Sequence, residues 1–446
     1  MIITLFACKL ATKDPEITGY PSSIALTLET SEAVPSVILA RVESEEPTDF
    51  ILHVQSDDRS HITQTFNTAT HQTVPLIGVP PGGLATVTAQ TSNTERIDVA
   101  QAEIQVGALS SIFGDLQFDV QTNTLQEGYW LISLFNQEQT LALIMDMNGT
   151  ILWGIPQGDD NNGGVDIQLD PRGDSFWMNT FPIGEDRSAT KLHQVSLDGQ
   201  IIDSLDITNA HHLFDIPSPD TFVWLSYDLR NTEEYGNVCG DLLMKTDSIG
   251  DEILFSAWDW LTLFESGSWN FGIPLDCRDW THGNGILYDQ SRQSYLMSFA
   301  GADLIMEIGL DGVPLQILGG LSAQDNDYSY DNPSDAFSYP HGVSWGPNGE
   351  ILVLSTVDNV TEAAAYTVED DVITKSWSFG SEYGHRALNL GEVTQIDSEH
   401  RLINWGSVGR LQVVDSNDTV VFDAQTELGY WFAEVEYLPS LPLMLP

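Results

Sequence analysis

Two kinds of hairpin-like segment alternate from about residue 108 to the C terminus, and this repeat restricts the fold more than any other feature of the chain. The first kind is two β runs around a polar turn, at 167–180 (IQLDPRGDSFWMNT), 214–226, 286–298, 343–355, 393–405 and 435–445. The second is a tighter hairpin, at 144–153 (IMDMNGTILW), 195–205, 245–255, 307–318, 367–377 and 413–423. Asn148-Gly149, Asp198-Gly199 and Asp311-Gly312 mark the tight turns, because a two-residue hairpin loop needs φ > 0 at its central residues.

A single unit of this size cannot bury its apolar face, and no long amphipathic helical pattern interrupts the series. Six copies of each part therefore predict an all-β chain whose residues 108–446 form a six-bladed β-propeller of four-stranded blades. The segment 435–445 lacks a following partner and 144–153 a preceding one, so the two ends are expected to share a blade and close the ring. One helical insertion is expected at 257–266 (AWDWLTLFES). Upstream, residues 17–107 carry short alternating runs separated by turn residues, such as SIALTLET and DFILHVQS, which predict an Ig-like or fibronectin-like β-sandwich. Residues 1–16 read as a leader and linker.

With 12 Trp, 18 Phe and 13 Tyr in 446 residues, the chain has ample material for buried cores. Asp and Glu number 65 against 16 Lys and Arg, a net charge of −49, which argues against nucleic acid or an anionic membrane surface as partner. No apolar run reaches the roughly 18 residues of a membrane-spanning helix. The opening MIITLFACKL is similar to the end of a bacterial lipoprotein signal, with Cys8 as lipid acceptor. That predicts export to the periplasm or cell surface, with membrane anchoring only through Cys8. Cys239 and Cys277 are then either a disulfide pair or two unrelated small buried residues.

The histidines follow the repeat. His211 and His212 directly precede the segment at 214, His282 the one at 286 and His341 the one at 343. In a propeller, equivalent positions of successive blades lie on one ring, so these residues are expected to converge on a pocket at the channel mouth. His385 and Arg386 lie somewhat earlier relative to the fifth segment. Such a cluster can bind a transition metal, although no HxH or HExxH pair is present. It can equally handle an anion, with neutral imidazole as nucleophile and imidazolium as donor to a sulfate or carboxylate. Asp325, Asp327, Ser329 and Asp331, and the stretch 159–166, alternate as Ca²⁺ loops do but lack the Gly and distal Glu of an EF-hand, and read as solvated loops.

The segments 279–320 (DWTHGNGILYDQSRQSYLMSFAGADLIMEIGLDGVPLQILGG) and 337–359 (FSYPHGVSWGPNGEILVLSTVDN) resemble the aryl-sulfate sulfotransferase family. The resemblance implies an exported six-bladed propeller with an N-terminal β domain. It also implies transfer of a sulfuryl group from an aryl sulfate to a phenol, with no phosphoadenosine or other cofactor. By the same resemblance His341 is the nucleophile, His282 and His212 support catalysis, and His211 and Asn284 bind substrate. The family's sulfate-clamping Arg corresponds to Ala300 here, and the Gln before the nucleophile to Pro340. Arg386 is the candidate replacement for that charge, with Arg410 and Arg278 as others. The competing reading is a non-catalytic exported propeller that binds a small anion, glycan or protein partner; a metal-dependent hydrolase ranks behind both.

Overall fold

The computed structural model describes residues 24–57, 59–68, 70–92, 97–114, 116–125, 127–136, 139–158, 162–182, 189–265, 276–426 and 429–444. Cys8 and the leader segment lie outside the described residues, as do Asp159 and Asp160. The fold is all-β, built from antiparallel sheets. Among the described residues the α-helix content is one turn, Ala257–Trp260, where a longer insertion was expected. Its Ser256 N-cap makes no side-chain bond to the turn, and so short a segment cannot repay the cost of nucleation. No helix among the described residues is long and apolar enough to cross a membrane.

Two sheets form the N-terminal part. One joins Ile24–Thr30, Ile38–Ser44 and His71–Leu76; the other joins Ser60–Ile62, Thr48–Gln55, Leu84–Thr91 and Val99–Gln105, with Phe66–Thr68 beside Thr48–Gln55. Strict alternation sets their inner face: Ala85, Val87 and Ala89 are fully buried while their neighbours Leu84, Thr86, Thr88 and Gln90 are not. Their shared core runs on into Leu131, Trp153 and Phe176, so this part is bedded by apolar contact on the sheets that follow. At the seam Arg59 pairs with Asp146.

Six further sheets follow. The first contains Trp431–Leu438, Tyr129–Phe135, Thr140–Asp146 and Ile151–Pro156 in that order, so the C-terminal strand completes the sheet opened near residue 129. The second runs from Ile167–Leu169 to Ile201–Asp206, the third from Ala210–Ser218 to Gly250–Ser256 and the fourth from Gly283–Asp289 to Pro314–Gly319. The fifth starts at His341–Trp345 and the sixth at Glu392–Gln395, and the sixth takes Phe118–Asn123 as a fifth strand. The chain thus closes on itself twice, with an N-terminal strand in the last sheet and the C-terminal strand in the first.

Middle strands such as Thr140–Asp146 and Leu304–Gly309 are buried along their whole length, while the outer strand Ile201–Asp206 is almost wholly exposed. The first strands of all six sheets line one cavity of about 370 Å³. The segment 435–445, expected to be two runs around a turn, supplies only the end of Trp431–Leu438. Pro439 and Pro442 break the ladder beyond it, and the tail turns away to bridge Thr63 through Met444.

Candidate active site

Three bulges build the site. The pairing register shifts between His211 and Phe214, between Gly283 and Gly285, and between His341 and Val343, at the same point of the third, fourth and fifth sheets. A bulge re-aims the side chains around it. The backbone is left-handed at His212 (φ 52°) and His282 (φ 48°), and again at Tyr339 (φ 50°) and Leu390 (φ 64°). For non-glycine residues each such conformation costs on the order of 1–3 kcal/mol and concentrates at functional sites.

The bulges bring the histidines together. The His212 and His282 rings meet edge to face with centroids 5.1 Å apart, and His211 stands 5.1 Å from His212 at a similar angle. His211 Nδ1 and His212 Nδ1 are 2.8 Å apart, so one imidazole donates to the other. His211 is buried, stacked on Tyr227 at 3.9 Å, and its Nε2 lies 2.8 Å from Asp241 Oδ1. That approach lacks hydrogen-bond alignment. Asp241 Oδ2 instead accepts from Thr281 Oγ1 at 2.5 Å and Gly283 N at 2.6 Å, which ties the third sheet to the segment carrying His282.

His282 is held by a buried carboxylate. Its Nδ1 lies 2.5 Å from Asp279 Oδ2, and its backbone N–H donates to Asp279 Oδ1 at 3.2 Å. Burial disfavours its cation, but Asp279 and, more weakly, Asp241 outweigh that, and the His282 pKa is raised. Asp279 is set by covalent structure nearby: a disulfide joins Cys239 to Cys277, and Arg278–Asp279 pairs in parallel with Val238 and Cys239.

His341 is the opposite case. Burial drives its pKa down to about 4, and the neighbouring His282 charge pushes the same way. Its Nδ1 lies 2.9 Å from Gly391 O and so carries the proton, and its Nε2 accepts Leu390 N–H at 3.1 Å. Backbone of the sixth sheet's leading segment thereby fixes both the tautomer and the ring plane. His341 is thus held as the neutral imidazole, within electrostatic reach of His282, whose pKa is raised, and such a pair can attack an electrophile and protonate its leaving group.

Asn284 is fully buried between the site and the core. It donates to Pro340 O at 3.1 Å and accepts from Ser298 Oγ at 2.7 Å, so it anchors the residue before His341. Ala300 donates its N–H to His282 O at 3.1 Å and brings no charge to that place. Arg386 is exposed and makes no hydrogen bond or ion pair with these histidines. Arg410 is spent on Asp423, with bonds of 2.9 and 2.6 Å.

Among the described residues, no group of three or more His, Cys, Asp or Glu side chains is set to hold a metal ion. Asp325 accepts the Thr262 N–H and Asp327 the Ile317 N–H, each at 2.8 Å, so both tie their loop to neighbouring segments. The residues that sequence reasoning missed are Asp279, Asp241, Leu390 and Gly391. The central cavity was also unforeseen: it starts at Gly342, just past His341, and is lined by Asp215, Glu392, Glu434 and Glu436 rather than by the histidines.

The arylsulfotransferase (ASST) family model matches residues 117–329, a span that holds His211, His212, His282 and Asn284 and ends before His341. No curated protein matches the chain. Similar solved structures include a protein of unknown function from Bacteroides caccae, 13% identical, covering 70% of this chain and 100% of its own, with a TM-score of 0.45. Another is a putative 6-phosphogluconolactonase from Bacteroides uniformis, at 10% identity, 88% and 100% coverage and a TM-score of 0.37. A third is a quinonprotein alcohol dehydrogenase-like protein from Bacteroides thetaiotaomicron, at 8% identity, 93% and 96% coverage and a TM-score of 0.37. At these TM-scores the structural likenesses carry no argument about activity.

Proposed function

With residues 117–329 of the chain belonging to the arylsulfotransferase family, we propose that the protein moves a sulfuryl group from an aryl sulfate to a phenol through a sulfohistidine on His341. The observation that carries this reading is the opposite setting of two imidazoles at matching bulges, the His341 pKa driven down and the His282 pKa raised. His341 Nε2 leaves its bond to Leu390 N–H and attacks sulfur as the aryl oxygen–sulfur bond breaks. His282 gives a proton to the departing phenolate, whose acid has a pKa of about 10, and becomes neutral. The acceptor phenol then returns a proton to His282 and attacks the sulfohistidine, which restores both residues. Sulfuryl transfer, like phosphoryl transfer, asks the site mainly for position and charge compensation, and the His282 cation beside His212 offers that charge where Ala300 offers none.

The same reading takes the six sheets as the blades of a closed propeller and the two N-terminal sheets as an Ig-like sandwich. It takes the protein as exported, to the periplasm or cell surface, with Cys8 as lipid acceptor; the Cys239–Cys277 disulfide supports an oxidising compartment. The test is release of phenol from a chromogenic aryl sulfate with and without a second phenol. Acceptor-dependent release that falls by roughly 10⁴-fold or more in His341→Ala is expected. Full turnover in that variant overturns the assignment.

A further inference from the structure

Beneath the histidines the central cavity holds an acidic layer that the sulfuryl chemistry does not use. Asp215 comes from the third sheet's first strand, Glu392 from the sixth's, and Glu434 and Glu436 from the first's; all three strands line the cavity, with Asp166 just before the second's. The fourth and fifth sheets present Ile286, Leu287, Gly342, Val343 and Ser344, and no Lys or Arg lines the space. Asp166 is fully buried, and its Oδ1 has no hydrogen-bond donor. Glu392 is buried too, while Asp215, Glu434 and Glu436 stand half-buried around the cavity, and so many carboxylates without a counter-charge disfavour full ionisation. Since no three of the described side chains are set to hold a metal ion, protons are the remaining neutraliser.

The layer reaches the histidine site through Glu392. That residue directly follows Leu390 and Gly391, which hold the two ring nitrogens of His341. Its Oε1 accepts Val435 N–H at 3.0 Å, and its carboxyl group also lies within interaction reach of the Asn404 and Glu434 side chains. Gly342, directly after His341, packs so tightly here that an added Cβ would stand 2.6 Å from Glu392 Cβ. A displacement of Glu392 is therefore transmitted to both sides of His341.

We infer that Glu434 holds a proton that it donates to Glu392, and that this carboxyl pair at the cavity wall is a positioning element for His341, which couples the setting of the imidazole to pH. Burial first, and then the Glu392 charge, raise the Glu434 pKa well above the usual carboxylate range, and burial raises those of Glu392 and Asp166 as well. Asp215 is pushed up to about 6 and Glu436 to about 7 by the same desolvation. When Glu434 loses its proton, two carboxylates repel each other, and that repulsion acts on the segment whose Leu390 and Gly391 hold His341. The inference concerns the placement of His341 and holds whatever group that residue transfers.

Two readouts on the intact protein test it without substrate. Infrared spectra at pH 7 are expected to show a protonated-carboxyl carbonyl band that weakens in Glu434→Gln. Nitrogen-15 spectra of labelled histidine, with His341 assigned through its Ala variant, are expected to show the His341 ring signals changing as pH rises above neutrality. No titration of His341 itself falls in that range. In Glu434→Gln, whose amide still donates to Glu392, that change should disappear. Absence of the carboxyl band at pH 7, a Ca²⁺-dependent rise in Tm that marks the layer as an ionised cation site, or a His341 response identical in wild type and Glu434→Gln would each overturn the inference.

Discussion

At the residue scale the proposed transfer rests on splitting two imidazoles. His341, stripped of water, stays neutral down to about pH 4, while Asp279 keeps the proton on His282 to above the ordinary histidine value. The signs follow directly. Transfer needs His341 neutral, so the rate falls as pH drops through about 4; it needs His282 protonated, so the rate falls again as pH climbs through the raised His282 pKa. Asp279→Asn removes the charge that favours the imidazolium, and the alkaline limb of kcat/KM should move down by about one unit or more while the acid limb stays. An unmoved alkaline limb in that variant would assign the proton to another group. The histidines were legible in the sequence because each stands at the same phase of the repeat. Their carboxylate partners were not, since Asp279 and Asp241 are two among 65 acidic residues and only the folded chain distinguishes them.

At the scale of elements the bulges are the working parts. They were invisible in the sequence, because a register shift depends on the partner strand, and the alternating runs fix only which residues form strands. The hairpin repeat itself survives, but only Gly149, Gly199 and Gly312 have positive φ at the tight turns, not Asn148, Asp198 or Asp311, and the register shifts beside each, so these are bulged turns rather than the two-residue turns expected. The exceptions have local causes: two prolines end the last strand, and a lone helical turn stands where an insertion was expected. Gly342 shows how tight the junction is. Its φ is 56°, and a methyl group there would meet Gly391 O and Glu392 Cβ, each at 2.6 Å. Gly342→Ala should destabilise the protein by about 1–3 kcal/mol, visible in denaturant titration, and should reduce turnover by more than the unfolded fraction explains. Unchanged stability would contradict the close packing of the fifth and sixth sheets described here.

At the scale of the whole molecule the same burial that makes the site sets the protein's response to pH. Asp166, Asp215, Glu392, Glu434 and Glu436 all have raised pKa values, with Asp215 at about 6 and Glu436 at about 7. Unfolded, these groups titrate near 4. Between about pH 4 and 7 the folded chain therefore holds more protons than the unfolded one, and stability falls as pH rises through that window. Self-repulsion at a net charge of −49 adds to the loss, and salt should relieve that share. A Tm higher at pH 5 than at pH 8, with the gap narrowed but not abolished by salt, is the expected result; a Tm that rises from pH 5 to pH 8 would show the carboxyl layer to be ionised in the fold. Composition disclosed the charge but not where it was buried, so this property was out of reach of the sequence. The central claim, covalent catalysis by His341, is tested most directly by mass analysis of peptides after brief incubation with an aryl sulfate in the absence of acceptor. The account predicts an added mass of roughly 80 Da, one SO₃ group, on the peptide containing His341, discharged when a phenol is supplied. Turnover with no adduct on that peptide, or an adduct on another residue, would contradict it.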